Sequence, residues 1–135
     1  QPYIQIRFAE VLLNYAEACL GLKDEASARS AINRIRERAG MPDVPDTETG
    51  SALLARYRNE RRVELAWEGH RFFDVRRWMI APEAYVHAKG VKVATGGYEE
   101  FTFENRAWNN SHYLIPISRT EMQKNTSLIQ NPIYN

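Results

Sequence analysis

Residues 60–78 read ERRVELAWEGHRFFDVRRW, and no other part of the chain says more about its architecture. If a helix runs through to Glu68, then Glu60, Glu64 and Glu68 recur every four residues and share one face. Like charges at that spacing oppose each other by about 0.2–0.5 kcal/mol per pair, so such a row needs cations to meet it. The arginines within the same stretch are Arg61, Arg62, Arg71, Arg76 and Arg77.

This juxtaposition predicts a partly buried ion-pair network that locks helices together. The expected members are Glu60, Arg61, Glu64, Glu68, Arg71, Asp74 and Arg77. The chain has 14 Arg but only four Lys, and Arg is favoured where a charge pairs in a planar, bidentate way. Since removal of one partner strands a buried charge, we expect Glu64→Ala or Asp74→Ala to unfold or aggregate the protein.

Composition limits the classes of function. The 135 residues suffice for one domain with a core, and the net charge of +1 gives no general attraction to nucleic acid or to an anionic membrane. Cys19 is the single cysteine, so no disulfide forms within the chain, and no apolar run is long enough to span a bilayer. The chain begins with Gln1-Pro2 and carries no signal peptide, and we therefore interpret it as a piece of a longer polypeptide.

Helical periodicity dominates the first part of the chain. A first helix is predicted from Ile4 to Leu20, apolar over most of its girth and interrupted by one polar stripe. A second follows the capping residue Asp24 and stops at Gly40. The third reaches Glu68, and the fourth covers roughly 71–80 and closes at Pro82. Residues 1–81 therefore predict two tetratricopeptide-like αα-hairpins.

The pattern changes after Pro82. Short β-type runs around Gly96-Gly97 predict a small hairpin, with strands near 91–93 and 98–103. Residues 113–117 contain Pro116 and are expected to be extended rather than a central strand. The predicted fold class is mainly α: one domain, 1–135, in which the hairpin and irregular tail of residues 82–135 pack on the helices.

Catalytic arrangements are weakly represented. Glu60 and Glu64 could supply the two carboxylates of a glycoside hydrolase, but neighbouring guanidinium groups oppose the raised pKa that a catalytic acid needs. The three histidines do not have the spacing of a zinc site, and neither a nucleophile motif nor a glycine-rich phosphate loop is present. No metal or cofactor is expected, and we interpret the protein as not an enzyme.

The aromatic residues divide into two groups. Those on predicted helices occupy positions compatible with a core, namely Tyr15, Tyr57, Trp67, Phe72 and Trp78. Others lie in or near loops beside amides, where a flat ring can stack on a sugar while the amide meets its hydroxyls. The candidate ligand-binding residues are Tyr98, Trp108, Asn109 and Asn110, although ordinary hairpin packing also explains them.

With these residues on the page, the chain resembles the C-terminal portion of the SusD/RagB family. Four segments carry the resemblance: RFAEVLLNYAEA at 7–18, AINRIRERAG at 31–40, residues 60–78, and YLIPI at 113–117 with Glu121, Asn125 and QNP at 130–132. Val75 and Ile133 stand where the family more often has Leu and Gly. These are scaffold motifs, so no ligand residue transfers through them.

The resemblance implies a non-catalytic protein of Bacteroidetes-type bacteria that captures an oligosaccharide, or in some members a peptide, for a SusC-type TonB-dependent transporter. It implies an outer-leaflet lipoprotein of the outer membrane that faces the exterior and is held by a lipid anchor absent from this chain. A helical-repeat module that binds peptide or protein is the main alternative. It is favoured if exposed aromatics line a helical groove.

Overall fold

The computed structural model describes residues 6–134. In chain order the elements are α1 (Phe8–Gly21), α2 (Glu25–Arg38), α3 (Gly50–Glu64), α4 (His70–Arg77), α5 (Ala81–Tyr85), β1 (His87–Ala94), β2 (Gly97–Asn105), a 3₁₀ turn (Asn110–Tyr113) and α6 (Arg119–Lys124). The mainly helical fold class with a small antiparallel sheet is confirmed. The start of the predicted first helix, at Ile4, lies outside the described residues.

The chain divides into two compact units between Arg71 and Phe72. We call residues 6–71 the helical unit and residues 72–134 the hairpin unit. Within residues 6–134 no helix is both long and apolar enough to cross a bilayer.

In the helical unit, α1 and α2 form an αα-hairpin and α3 packs on both. Leu13 and Ile32 are fully buried, and Leu53 of α3 completes this core. The Asp24 carboxylate accepts the Ser27 N–H at 3.1 Å, which satisfies one of the free amides at the start of α2. Hydrogen bonds from the side chain and the backbone N–H of Ser27 lower the pKa of the Asp24 carboxyl.

The third helix is shorter than predicted, because it ends at Glu64 rather than Glu68. The chain then turns through Trp67 and Gly69, which both have positive φ, 68° and 82°. Leu65 is buried, while Trp67 is fully exposed, so the core position expected for Trp67 was wrong. Only Glu60 and Glu64 lie on the helix, and Glu68 follows it in the turn.

The other aromatic residues that were predicted to lie on helices differ in how far they are buried. Tyr57 is fully buried, as predicted, but Tyr15 and Phe72 are exposed. Trp78 follows the last residue of α4 rather than lying on it. Periodicity predicted helices near these rings but could not say where each helix ends or which of its faces is covered.

In the hairpin unit, Pro82 was predicted to end a helical region. It lies instead in the first turn of α5, a helix that was not predicted. Proline is tolerated there because its missing N–H has no partner within the helix. The hairpin β1–β2 is longer at both ends than the predicted strands, with a register shift between Ala88 and Lys89. A Cβ at Gly90 would lie 2.7 Å from the Phe101 ring across the sheet, so this position suits glycine.

The C-terminal tail is held by two amide side chains. Gln130 accepts the Ile117 N–H at 2.8 Å and donates to the Ile117 carbonyl at 2.9 Å. Asn131 donates to the Ile115 carbonyl at 2.7 Å. Tyr113, predicted to be extended, ends the 3₁₀ turn, and Leu114 after it is extended. Residues 115–117 belong to no helix or strand, and the two amides supply the hydrogen bonds that a partner strand would give. The helix α6 between these residues and the tail was not predicted.

Candidate functional site

The carboxylate of Glu60 on α3 is bound by Arg36 on α2. Arg36 is buried, and its Nε donates to the Pro42 carbonyl at 2.6 Å. The guanidinium therefore joins α2, the following loop and α3. Because both partners are largely removed from water, this pair matters for stability more than a surface ion pair does.

Arg7, directly before α1, holds the next two acids. One guanidinium nitrogen lies 2.5 Å from Glu64, and the Nε donates to the Glu68 carboxylate at 2.9 Å. Arg38 of α2 approaches Glu64 from another side at 2.7 Å. Hydrogen bonds from Arg7 hold the pKa of Glu68 below its usual range and raise the pKa of Arg7.

We call the polar contacts that join α1 and α2 to α3 and to Glu68 just beyond it the ion-pair seam, and the polar stripe along α1 supplies further contacts in it. Asn14 accepts a hydrogen bond from Arg61 at 2.8 Å, and Glu17 accepts one from the Tyr57 hydroxyl at 2.7 Å. Glu10 lies 3.9 Å from the His70 ring. The stripe consists of Arg7, Glu10, Asn14 and Glu17. Each of its members thus contacts a polar group of α3 or of the chain just beyond it, up to the first residue of α4.

The cations that meet the acids of α3 differ from those expected. They are Arg7, Arg36 and Arg38, which are distant in sequence, rather than the arginines that follow the acids. Arg62 is exposed, and Arg76 stacks over the Phe72 ring at 3.6 Å. The four-residue polar stripe on an otherwise apolar helix was the available signal for Arg7.

The last expected members of the network lie near the boundary of the two units. Asp74 is buried and pairs with Arg77 at 3.0 Å within α4 of the hairpin unit. Arg71, the last residue of the helical unit, is half-buried.

Paired in this way, the acids of α3 serve structure better than acid–base chemistry. A catalytic acid needs apolar surroundings or a second carboxylate to keep its proton near neutral pH. Glu60 and Glu64 instead face guanidinium groups. In residues 6–134 no three His, Cys, Asp or Glu side chains come together as metal ligands do.

The candidate ligand residues fall at two ends of the hairpin. Tyr98 is 82% exposed and pairs with Val93 next to the β-turn. Trp108 follows the far end of β2, and that end, Asn105, lies about 23 Å along the strand from Tyr98 at roughly 3.3 Å per residue. The structure therefore does not bring Tyr98 to the same place as Trp108.

Trp108 lies in an aromatic cluster. Its ring centroid is 5.1 Å from that of Tyr113 and 5.8 Å from that of Tyr85. Asn109 uses its side chain to cap the 3₁₀ turn, accepting the Ser111 N–H at 3.1 Å, and Asn110 is the first residue of that turn. Local packing thus engages Trp108 and Asn109, and Tyr98 stays exposed.

A cavity that the sequence did not predict lies beside α6, with a volume of about 640 Å³. It is lined by residues 116–119, by Met122 and Gln123, and by Gln130 and Tyr134 of the tail. The one sequence feature that could have indicated a site here is the pair Arg119 and Gln123, which lie one helical turn apart.

These features define a class of protein. Its members have a helical scaffold held by guanidinium–carboxylate pairs, followed in the chain by a β-hairpin and a tail that side-chain hydrogen bonds hold in place. The chain belongs to the SusD family, whose model matches residues 1–134.

Individual relatives agree. SusD-like protein P2 of Formosa agariphila is 33% identical over 96% of this chain, and a SusD-like protein of Bacteroides ovatus is 37% identical over 54% of it. The crystal structure of a SusD-like protein from Bacteroides fragilis superposes with a TM-score of 0.86 at 39% identity, covering 98% of this chain and 26% of that one. The chain spans about a quarter of the length of the Formosa protein, and the matched region covers 13% of the Bacteroides ovatus protein.

Proposed function

We propose that this chain is part of a non-catalytic protein that captures an extracellular nutrient, an oligosaccharide, and delivers it to a SusC-type TonB-dependent transporter. Membership of the SusD family over residues 1–134 is the observation that carries the proposal. In the same proposal the protein is an outer-leaflet lipoprotein of the outer membrane, facing the exterior and anchored by lipid.

The pairing of the acids supports a binding role rather than hydrolysis. Glu60 and Glu64 are both engaged by arginine, and both side chains are mostly buried. A rigid helical scaffold of this kind can hold binding loops in place without cofactor or metal. Turnover of a glycan by the full-length gene product, lost in Glu60→Gln, would contradict the non-catalytic part of the proposal.

The direct experiment is glycan-array binding with the full-length gene product, followed by calorimetry on the glycans retained. We expect binding without any change in the glycan. Co-purification of the protein with a transporter barrel encoded beside its gene tests the partner. Failure to retain any glycan would overturn the proposed ligand class.

The two ends of the hairpin can be tested separately as binding surfaces. Tyr98→Ala removes a ring next to the β-turn, and Trp108→Ala removes one that follows the opposite end of β2. Loss of glycan affinity in only one of them assigns the sugar to that end. Retention of affinity in both variants removes Tyr98 and Trp108 from the binding surface.

A second candidate function, binding of a helical peptide or helix, is favoured by one specific observation. Side chains of α1 and its C-cap form an exposed apolar row at spacings of 3, 4, 3 and 4 residues, consisting of Phe8, Val11, Tyr15, Ala18 and Leu22. That spacing matches the seam through which one helix packs on another. Binding of an amphipathic helical peptide by the full-length gene product, measured by calorimetry and lost in Tyr15→Glu, would support this candidate.

A further inference from the structure

The cavity beside α6 has polar groups that nothing else in the described chain uses. The Arg119 guanidinium and the Gln123 amide have no hydrogen-bond or ion-pair partner in residues 6–134. One helical turn separates them, so both lie on the same face of α6, where they are exposed and line the cavity. The neighbouring Glu121 is neutralised by Lys124 at 2.8 Å.

The charge of the cavity wall is one-sided. Among the described residues that line it, Arg119 alone is charged, and no acid faces it. The guanidinium is a planar fork that binds a carboxylate through two parallel hydrogen bonds. Pro116, Ile117 and Met122 add apolar surface, and Tyr134 adds a ring. The cavity therefore combines a carboxylate receptor with a surface suited to the C–H face of a sugar ring.

The wall is fixed before any ligand arrives. Gln130 bonds both the N–H and the carbonyl of Ile117, and it also lies 3.2 Å from the Met122 sulfur. The Tyr134 hydroxyl donates to the Leu114 carbonyl at 3.3 Å. A wall that is already held costs less conformational entropy when a ligand binds.

The same hydrogen bonds disfavour an extended peptide as the ligand. Peptides that add to a strand need free backbone N–H and carbonyl groups along its edge. The carbonyls of Leu114, Ile115 and Ile117 are already engaged by tail side chains, and Pro116 has no N–H. A sugar needs no such edge.

We propose that the cavity beside α6 is a subsite for the carboxylate of a uronic-acid residue in an oligosaccharide, bound by Arg119 with Gln123 on a neighbouring oxygen. This inference rests on the proposed function, since it names the chemical class of glycan that is captured. It adds a site on the C-terminal part of this chain to the candidate residues of the hairpin.

The test uses the full-length gene product and isothermal titration calorimetry. The probes are short oligomers of galacturonate, glucuronate and mannuronate, with neutral oligosaccharides of equal length. Arg119→Gln removes the charge but keeps a polar side chain, and Gln123→Ala removes the amide. The matched control is Arg62→Gln, an exposed arginine on α3 outside the cavity. Thermal unfolding confirms that each variant folds.

Supporting results are binding of at least one uronate oligomer, a rise in its Kd of about tenfold or more in Arg119→Gln, and an unchanged Kd in Arg62→Gln. Affinity should also fall as salt is raised. Neutral glycans bound with equal affinity by wild type and Arg119→Gln, with no uronate preference, overturn the inference and leave the proposed function standing. Binding of acidic peptides but no sugar, or of no sugar at all, overturns both.

Discussion

Leu13, Leu53 and Tyr57 of the helical unit are fully buried, whereas Val91 and Val93 of the hairpin unit are 62% and 75% exposed. Both groups are apolar, yet only the first gains from removal of its surface from water. The helical unit therefore depends on its core, and the hairpin β1–β2 on its main-chain ladder. The same kind of substitution should have different effects in the two units.

Two charged pairs, one from each unit, differ in the same direction. The side chains of Arg36 and Glu60 in the helical unit are 8% and 14% exposed, against 63% and 59% for Lys89 and Glu100 across the hairpin. Solvent and salt screen an exposed pair, while a buried one is costly to leave half-formed. Loss of one cation should therefore cost more stability in the Arg36–Glu60 pair than in the Lys89–Glu100 pair.

The largest effect is expected from Arg36→Met. The change leaves the Glu60 carboxylate in a mostly buried place without its cation, which should lower the free energy of unfolding by about 3–5 kcal/mol. Urea denaturation measures the loss. Lys89→Met is the matched control in the hairpin unit and should cost at most about 1 kcal/mol.

A double variant sharpens this result. If the cost in Arg36→Met comes from the stranded carboxylate, then Arg36→Met with Glu60→Met should recover much of the lost stability, because both charges are gone. A double variant no more stable than Arg36→Met would show that Arg36 acts through packing and its hydrogen bond to Pro42 instead.

A slightly smaller effect is expected from Leu13→Ala. This side chain is fully buried in α1, and its truncation should cost about 2–5 kcal/mol through lost burial and a residual cavity. Val93→Ala, which shortens an exposed side chain on β1, should change stability by no more than about 0.5 kcal/mol. Equal losses in the two variants would show that the exposed face of the hairpin is covered in solution.

Much of the architecture of the two units could be predicted from the sequence. Helical periodicity and the cap at Asp24 predicted α1 and α2, and Gly96-Gly97 predicted the hairpin. The end of α3 was missed because Trp67 and Glu68 continue the apolar and acidic spacing beyond the turn. Pro82 was taken as a stop signal, although proline suits the start of a helix equally well.

Partner choice in the ion-pair seam could not be predicted from local spacing. Glu64 lies 57 residues from Arg7 in the chain, so only the packing of α1 against α3 brings them together. The cavity beside α6 also depends on contacts between distant residues, since Ile117 and Tyr134 line it together and Gln130 and Asn131 bond the tail to Ile117 and Ile115. Side chains that hydrogen-bond to distant backbone groups are hard to recognise in a sequence, because polar residues in a tail are expected to face solvent.

Gln130→Ala tests that pinning in the hairpin unit. It removes the bonds to the N–H and carbonyl of Ile117 and should cost about 1–3 kcal/mol, since part-buried backbone groups lose their partner. Hydrogen exchange at the Ile117 amide should accelerate strongly while amides of β1 and β2 keep their protection. Thr126→Ala, an exposed position between α6 and the tail, is the control and should leave the Ile117 amide unchanged.

The smallest effect is expected from Glu68→Gln, and its pH dependence distinguishes an ion pair from simple packing. Hydrogen bonds from Arg7 lower the pKa of Glu68 in the folded protein, so the stabilisation is present above the unfolded-state pKa of about 4.3. It is lost as the pH falls through the lower, folded-state pKa, because protonation removes the charge. Glu68 is partly exposed, so the loss at pH 7 should be at most about 1 kcal/mol.

Urea denaturation of wild type and Glu68→Gln at several pH values measures this difference. The two curves should converge on acidification, since wild-type Glu68 then becomes neutral like the glutamine. Glu99→Gln, at an exposed carboxylate of β2, should show little difference from wild type at neutral pH. A Glu68→Gln deficit that stays constant down to acidic pH would assign the role of Glu68 to shape and hydrogen bonding. The ionic description of the seam would then hold only for its more buried members, Glu60 and Glu64.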